Sequence, residues 1–288
     1  MAGRSAATLK SARRRYAQEL RYVANVRSRA VLRAFATVPR ERFLGPGPWQ
    51  ILGYNFEDYW TTPDADPRHL YHNILVAIDP KRRLNNGQPA FWAFLFDALD
   101  IKPGERVAHI GAGMGYYSAI LAETVGRKGR VAAYEIDRGL ARRARRNLSP
   151  WPQVRVTGAD GSRRRLGPVD VIVVNAGVTH PAAVWLDALA PGGRMILPLT
   201  TDNNWGGRML KVTRQGEAYA AQFISGVAIF PCAGARDKKA SRLLEQAFKS
   251  RPQGRVKSLR RERHKRNATC WLHGKDFCLS RAEPAGSA

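Results

Sequence analysis

An open α/β sheet with crossover helices, mostly parallel at its centre, is the fold class this sequence predicts, and three observations carry it. After Pro103-Gly104, short apolar runs alternate with amphipathic stretches of helical length, the pattern of parallel strands joined by helices. One of those runs leads straight into a glycine-rich loop and then into a helical pattern. Ahead of residue 100 and beyond residue 235 the pattern changes, which predicts an N-terminal helical and aromatic cap (1–100), a core (101–235) and a basic C-terminal extension (236–288).

The elements follow in order. Residues 8–37 read as one helix, with Leu9, Tyr16, Leu20, Val23, Val26, Val31 and Phe35 on one stripe and arginines opposite. Gly45-Pro46-Gly47-Pro48 breaks the chain, and the aromatic stretch 49–86 reads as a long loop packing over one end of the sheet. A helix over 89–100 opens with Pro89 in its first turn. Strands are predicted at 106–110, 130–135, 153–157, 169–175 and 193–198, with helices at 115–126, 138–148 and 181–190. An antiparallel pair at 208–214 and 219–231, a helix at 236–250 and a terminal hairpin of strands 254–261 and 269–279, turning at His273-Gly274-Lys275, complete the chain before a frayed tail at 283–288.

Of 288 residues, 44% are hydrophobic and 25% charged, enough for a sizeable core. The net charge of +25 is concentrated in the flanks: residues 1–46 carry +9 and residues 232–288 carry +10. Such arms attract polyanions such as RNA, and they also simply solubilise. No apolar run is long enough to span a bilayer, so no membrane partner is expected. The three cysteines, Cys232, Cys270 and Cys278, form no C-x-x-C pair, which points to a reducing, cytoplasmic setting. With only His273 near two of them, no metal site is expected.

The chemistry concentrates in Ile110-Gly111-Ala112-Gly113-Met114-Gly115-Tyr116. Glycines let the backbone turn and approach a ligand, and the following helix N-terminus offers unpaired amides. A dinucleotide fingerprint needs a third glycine where Tyr116 stands, so the loop suits a smaller ligand. Glu135, ending the second strand, can accept from both ribose hydroxyls. Asp160, followed by Gly161 after the third strand, can accept from an adenine amino group, and Asn175 ends the fourth where ligands of open sheets gather. Together they predict S-adenosylmethionine, bound by Gly111, Ala112, Gly113, Gly115, Tyr116, Glu135, Asp160, Gly161 and Asn175.

These residues, with Asp170–Gly177, the Leu189-Ala190-Pro191-Gly192-Gly193 segment and Val38-Pro39-Arg40-Glu41-Arg42-Phe43, resemble the protein-L-isoaspartate O-methyltransferases over about residues 15–235. The resemblance implies a Rossmann-like class I methyltransferase fold, S-adenosylmethionine as methyl donor, a protein or peptide carboxylate as acceptor, and a monomer. Two positions depart from it. Many methyltransferases carry an acid where this chain has His109, which brings a neutral or cationic imidazole near a sulfonium. The family has Thr-Ile-Ser-x-Pro ahead of the first core helix, its serine helping to hold the acceptor carboxylate; here the stretch is Asn85-Asn86-Gly87-Gln88-Pro89.

A carboxylate acceptor is already ionised at neutral pH and needs no general base, only alignment and exclusion of water. Asn86, Gly87 and Gln88 are therefore the candidates for positioning it. Rival readings are an RNA methyltransferase using the basic flanks, a methyltransferase for a peptide natural product or small acid, and a protein that keeps the cofactor site without transfer. The RNA reading lacks support at Asn175-Ala176-Gly177-Val178, which is not the Asn-Pro-Pro-Tyr type of segment found in nitrogen-methylating families.

Overall fold

The computed structural model of the chain describes residues 2–202, 206–250 and 255–284. In chain order its elements are α1 (Ala2–Val23), α2 (Arg29–Thr37), β1 (Gln50–Leu52), β2 (Tyr59–Thr61), β3 (Ala77–Asp79), β4 (Leu84–Asn85), α3 (Pro89–Ala98), β5 (Arg106–Ile110), α4 (Tyr116–Val125), β6 (Arg130–Tyr134) and α5 (Arg138–Asn147). There follow β7 (Val154–Thr157), β8 (Val169–Val174), α6 (Ala183–Ala188), β9 (Leu189–Thr200), β10 (Gly206–Gln215), β11 (Ala218–Ala228), α7 (Lys238–Ser250), β12 (Ser258–Arg260), β13 (Cys270–His273) and β14 (Cys278–Ser280). They divide into two compact units. Unit 1 holds residues 1–105, 112–133 and 137–157, and unit 2 holds 106–111, 134–136 and 158–288.

In unit 1 the helix expected over 8–37 is two helices. Asn25 takes a left-handed φ of 48°, which ends α1, and Ser28 caps α2 by accepting from the Val31 amide. Asp97 fixes the break by accepting from the amides of Arg27 (2.9 Å) and Ser28 (2.6 Å). The Pro39–Phe43 motif folds as a single 3-10 turn whose Arg40 is fully buried. Its guanidinium donates to the carbonyls of Leu70, His72 and Ile74 at 2.7–3.1 Å, meeting the requirement that a buried charge be bonded. Glu41 accepts from Arg13 and from the Tyr71 hydroxyl. Trp49, Ile51, Leu70 and Val76 form a small core under the 49–86 segment, which contains two short antiparallel pairs, β1–β2 and β3–β4. That segment is only partly packed: Tyr54, Phe56 and Trp60 are exposed.

Helix α4 is buried on nearly every side, as its lack of charge on all but Glu123 demands. Helix α5 is the opposite case. Asp137 caps it by accepting from Gly139 and Leu140, and Leu140, Ala141 and Ala144 are buried while arginines cover the outer face.

Eight of the strands of the main sheet belong to unit 2, in the order β13-β14-β12-β11-β10-β9-β8-β5. Pairing is parallel between β5 and β8 (Val107↔Val171 to Ile110↔Val174) and between β8 and β9, then antiparallel from β9 outwards. The terminal hairpin differs from expectation: 269–279 is itself the hairpin, turning over 274–277, and β12 pairs with β14. Residue 254, where the first of the expected strands was to begin, lies outside the described residues, as does the tail 285–288. One continuous core joins Ile110, Ile172, Leu197 and Leu210 to Leu244, Leu259, Trp271 and Leu279, so the basic extension supplies part of the sheet's own interior. No described helix is long and apolar enough to cross a membrane.

Candidate active site

In unit 2, β5 delivers the chain to Gly111, whose φ of +80° suits glycine alone among common residues. The Gly111 amide donates to the Tyr134 carbonyl (2.9 Å) and the Asn175 amide to the Ile110 carbonyl (2.8 Å), so the ends of β5, β6 and β8 come together. A Cβ at Gly111 would lie 3.1 Å from the Asn175 carbonyl oxygen, so a side chain here would crowd the crossing as well as strain the backbone. Glu135 follows Tyr134 directly and is buried, with the exposed side chain of Ile136 beside it. Ile136, to which the sequence gives no role, is 49% exposed beside that buried carboxylate.

Asp160 is held from two sides. Its Oδ1 accepts from the Ser162 amide (2.9 Å) and hydroxyl (2.7 Å). Gly234 presses against it: a Cβ there would lie 2.3 Å from both carboxylate oxygens. Gly161 is packed on Ile110 and Tyr134, and its carbonyl accepts from the buried Trp185 indole (2.8 Å). Ser162 and Gly234 carried no signal in the sequence, because their role depends on a fold that brings residue 234 back to residue 160. The segment past Asn175 is fixed by Arg236, which donates to the Gly177 carbonyl (2.9 Å) and the Thr200 hydroxyl (2.8 Å).

His109 lies fully buried on β5 in register with Val173. Burial pushes its imidazole down to about 3, so it is neutral at physiological pH and brings no positive charge to the strand.

In unit 1 the loop continues through Ala112, Gly113 and Gly115 into α4. Gly113 (φ +56°) faces open space, with nothing nearer to an added Cβ than Ile78 at 4.0 Å, whereas Gly115 (φ +94°) is packed on Leu148 at 2.8 Å. The Met114 carbonyl accepts from the Asn147 side chain (3.0 Å), which steadies the turn. Tyr116, expected at the cofactor, begins α4. Its ring is buried among Phe35, Phe43 and Tyr16, so only its backbone at the start of α4 is placed to serve a ligand.

The 85–89 stretch, also in unit 1, holds the three residues expected to position the acceptor. Gly87 has a φ of +74°, and a Cβ there would lie 2.8 Å from Trp92 Nε1 and 3.0 Å from the Tyr117 ring. Its carbonyl accepts from the Tyr117 hydroxyl at 3.0 Å, and burial keeps that phenol protonated as the donor. Asn86 is only 6% exposed; its backbone amide donates to the Val76 carbonyl, and its side-chain Nδ2 is buried with no hydrogen-bond partner among the described residues. Gln88 precedes α3 without capping it through its side chain. In unit 2, where no metal site is expected from the sequence, His264, Cys270, His273 and Cys278 bring one ligand atom each within 4.8 Å of one another.

A family-wide sequence profile described as protein-L-isoaspartate(D-aspartate) O-methyltransferase matches residues 12–236. A protein-L-isoaspartate O-methyltransferase of Aeropyrum pernix is 36% identical over 203 residues, covering 69% of this chain and 70% of its own. One from Pyrobaculum neutrophilum is 30% identical over 222 residues, covering 75% and 97%. Among solved structures, a Plasmodium falciparum protein described as a protein-L-isoaspartate O-methyltransferase, in complex with S-adenosyl-L-homocysteine, aligns over 78% of this chain and 98% of its own at TM-score 0.60 and 17% identity, a likeness of fold.

Proposed function

Since the chain belongs to the protein-L-isoaspartate(D-aspartate) O-methyltransferase family, we propose that it moves the methyl group of S-adenosylmethionine to the free carboxylate of L-isoaspartyl and D-aspartyl residues in proteins. The observation that carries this reading is the pair of immobilised carboxylates in unit 2. Glu135 is buried at the end of β6, and Asp160 is locked by Ser162 and Gly234. Two such acids beside Gly111 and Asn175 match the hydroxyl and amino donors of an adenosine.

Glu135 would accept from the ribose, Asp160 from the adenine amino group, and Ile136 would lie against the base. Gly111 and Asn175 border the same strand ends, and Gly161 keeps Asp160 in place. In unit 1 Ala112, Gly113, Gly115 and the Tyr116 backbone form the turn into α4, where the space in front of Gly113 is left open. The cofactor supplies an electrophilic methyl group on a positive sulfur. The protein's task is then to align an acceptor that already carries its charge. No base is required, since a carboxyl of ordinary pKa near ~4 is ionised at pH 7. Asn86 Nδ2, buried and unpartnered, is the donor best suited to receive an acceptor carboxylate, with Gln88 beside it and Gly87 shaping the turn.

We place the enzyme in the cytoplasm as a monomer, in keeping with three cysteines that form no C-x-x-C pair in the sequence. The test is incubation with methyl-labelled S-adenosylmethionine and, in separate arms, an isoaspartyl peptide, its normal aspartyl twin and total RNA. Base-labile label on the isoaspartyl peptide alone is the expected outcome. Label on RNA only would reassign the basic flanks to substrate binding, and label on neither peptide would end the carboxylate reading.

A further inference from the structure

We propose that His264, Cys270, His273 and Cys278 form a closed tetrahedral zinc site in the C-terminal extension, outside the region shared with the family. One ligand atom from each residue lies within 4.8 Å of all the others. Cys270 Sγ and His264 Nε2 are 3.5 Å apart. With Zn–S near ~2.3 Å and Zn–N near ~2.0–2.1 Å, a tetrahedron has edges of roughly 3.4–3.8 Å, so that pair already stands at bonding geometry for a shared ion. The two imidazoles meet edge to face at 4.7 Å, as ligands converging on one point do.

The fold explains how the four converge. His273 and Cys278 are register partners at the end of the β13–β14 hairpin, where the Gly274 amide closes the turn on the Phe277 carbonyl (2.9 Å). Cys270 begins the same strand beside a register shift, which moves its side chain relative to regular alternation. His264 arrives from the loop between β12 and β13. His273 Nδ1 is buried and has no hydrogen-bond partner among the described residues, a condition that costs free energy unless its lone pair or proton is met. The Asn267 amide points at Cys270 Sγ from 3.4 Å, an outer contact of the kind that supports a metal-bound thiolate. Arg266 and Arg281 line the cavity beside Cys270, while Arg260, the register partner of Cys278, is ion-paired with Glu262.

The ligand set selects the ion. Two sulfurs and two imidazoles in a tetrahedron suit zinc and exclude the oxygen-seeking calcium and magnesium. Four protein ligands leave no open position, so the site is structural: it ties the basic loop of residues 261–269 to the hairpin. A disulfide between Cys270 and Cys278 is the competing use of the sulfurs. Cys270 is paired in register with Ser280 rather than with Cys278, and a disulfide would leave both histidines without a role.

The test uses the full-length protein, purified without chelator and free of any histidine tag. Elemental analysis should find about one zinc per chain, and cobalt exchange should give the intense visible bands and sulfur charge-transfer absorption of a tetrahedral thiolate site. Cys270→Ser and His264→Asn should each lower the zinc content to about a tenth or less, while Cys232→Ser keeps it. Should those variants prove insoluble, the cobalt spectrum of the unaltered protein decides. A weak octahedral spectrum, zinc content unaffected by Cys270→Ser, or an intact mass two hydrogens short from a Cys270–Cys278 disulfide would each overturn the proposal.

Discussion

Two glycine-bearing turns lead into helices in this molecule, and they use the missing side chain in opposite ways. At Gly113, ahead of α4, the space a Cβ would take is nearly vacant, with Ile78 at 4.0 Å. At Gly87, ahead of α3, that space is taken by the protein's own Trp92 and Tyr117. Both glycines have positive φ, yet one keeps room for a ligand and the other admits an indole and a phenol. Measured against the serine that the resemblance leads one to expect at position 87, the turn here is packed differently, with Tyr117 holding the Gly87 carbonyl. A hydrogen bond to the acceptor that the serine would have given has to come from a neighbour.

Four experiments would break or sharpen that contrast. The largest effect belongs to the cofactor side: Glu135→Ala should raise the dissociation constant for S-adenosylmethionine by about 100-fold, since two hydrogen bonds to a charged group are lost at ~1.5–3 kcal/mol each, partly offset by water. Calorimetry checks it, with an unfolding midpoint close to the parent's showing that the fold survives; an unchanged constant removes Glu135 from the site. Next comes Gly87→Ser. Restoring the family residue should destabilise the protein by about 1–3 kcal/mol, through left-handed strain and the clash with Trp92, and should not improve turnover on an isoaspartyl peptide. A stable variant with better turnover would mean that the turn is open after all.

Asn86→Ala should raise the KM for the isoaspartyl peptide about 10-fold and leave cofactor binding as it was, the size of one hydrogen bond to a carboxylate. Equal losses in both affinities would point to a distorted turn instead. The smallest effect near neutrality concerns His109. Its folded pKa, about 3, is below the ordinary 6.5, so the unfolded chain binds the extra proton. Stability is complete above pH 6.5 and falls as pH drops from there towards 3, at up to about 1.4 kcal/mol per pH unit for this group. Denaturant titrations from pH 7 to 5 should show a shallower decline in His109→Gln than in the parent; parallel curves would show that His109 is not buried as described.

Much of the core was legible because its signals are local. Strands at 106–110, 130–134 and 169–174 and helices at 116–125 and 138–147 fall within one or two residues of expectation, each bounded by glycine, proline or a capping aspartate. Glu135 and Asp160 were legible because they follow strands directly. The division of the first helix was harder to see, since the apolar stripe runs on through Val26 while Asn25 turns left-handed. The partners of Asp160 were out of reach, because Gly234 meets it only through tertiary structure. The same holds for His264, whose spacing from Cys270, His273 and Cys278 fits no familiar ligand pattern, and for Gly87, where the decisive neighbours are 5 and 30 positions away.

Trp271 is fully buried against Phe223 of β11 and Phe248 of α7, with ring centroids 5.2 and 5.7 Å away. Trimming the protein back to the length of the family profile would strip that indole, along with Leu244, Leu259 and Leu279, from the apolar side of the sheet. Deleting one large buried aromatic side chain alone typically costs about 3–5 kcal/mol, a large part of the stability of most domains. A shortened chain would emerge from synthesis with a sticky, half-dressed β11 and would be recovered from inclusion bodies, so for expression and crystallisation the tail has to travel with the enzyme.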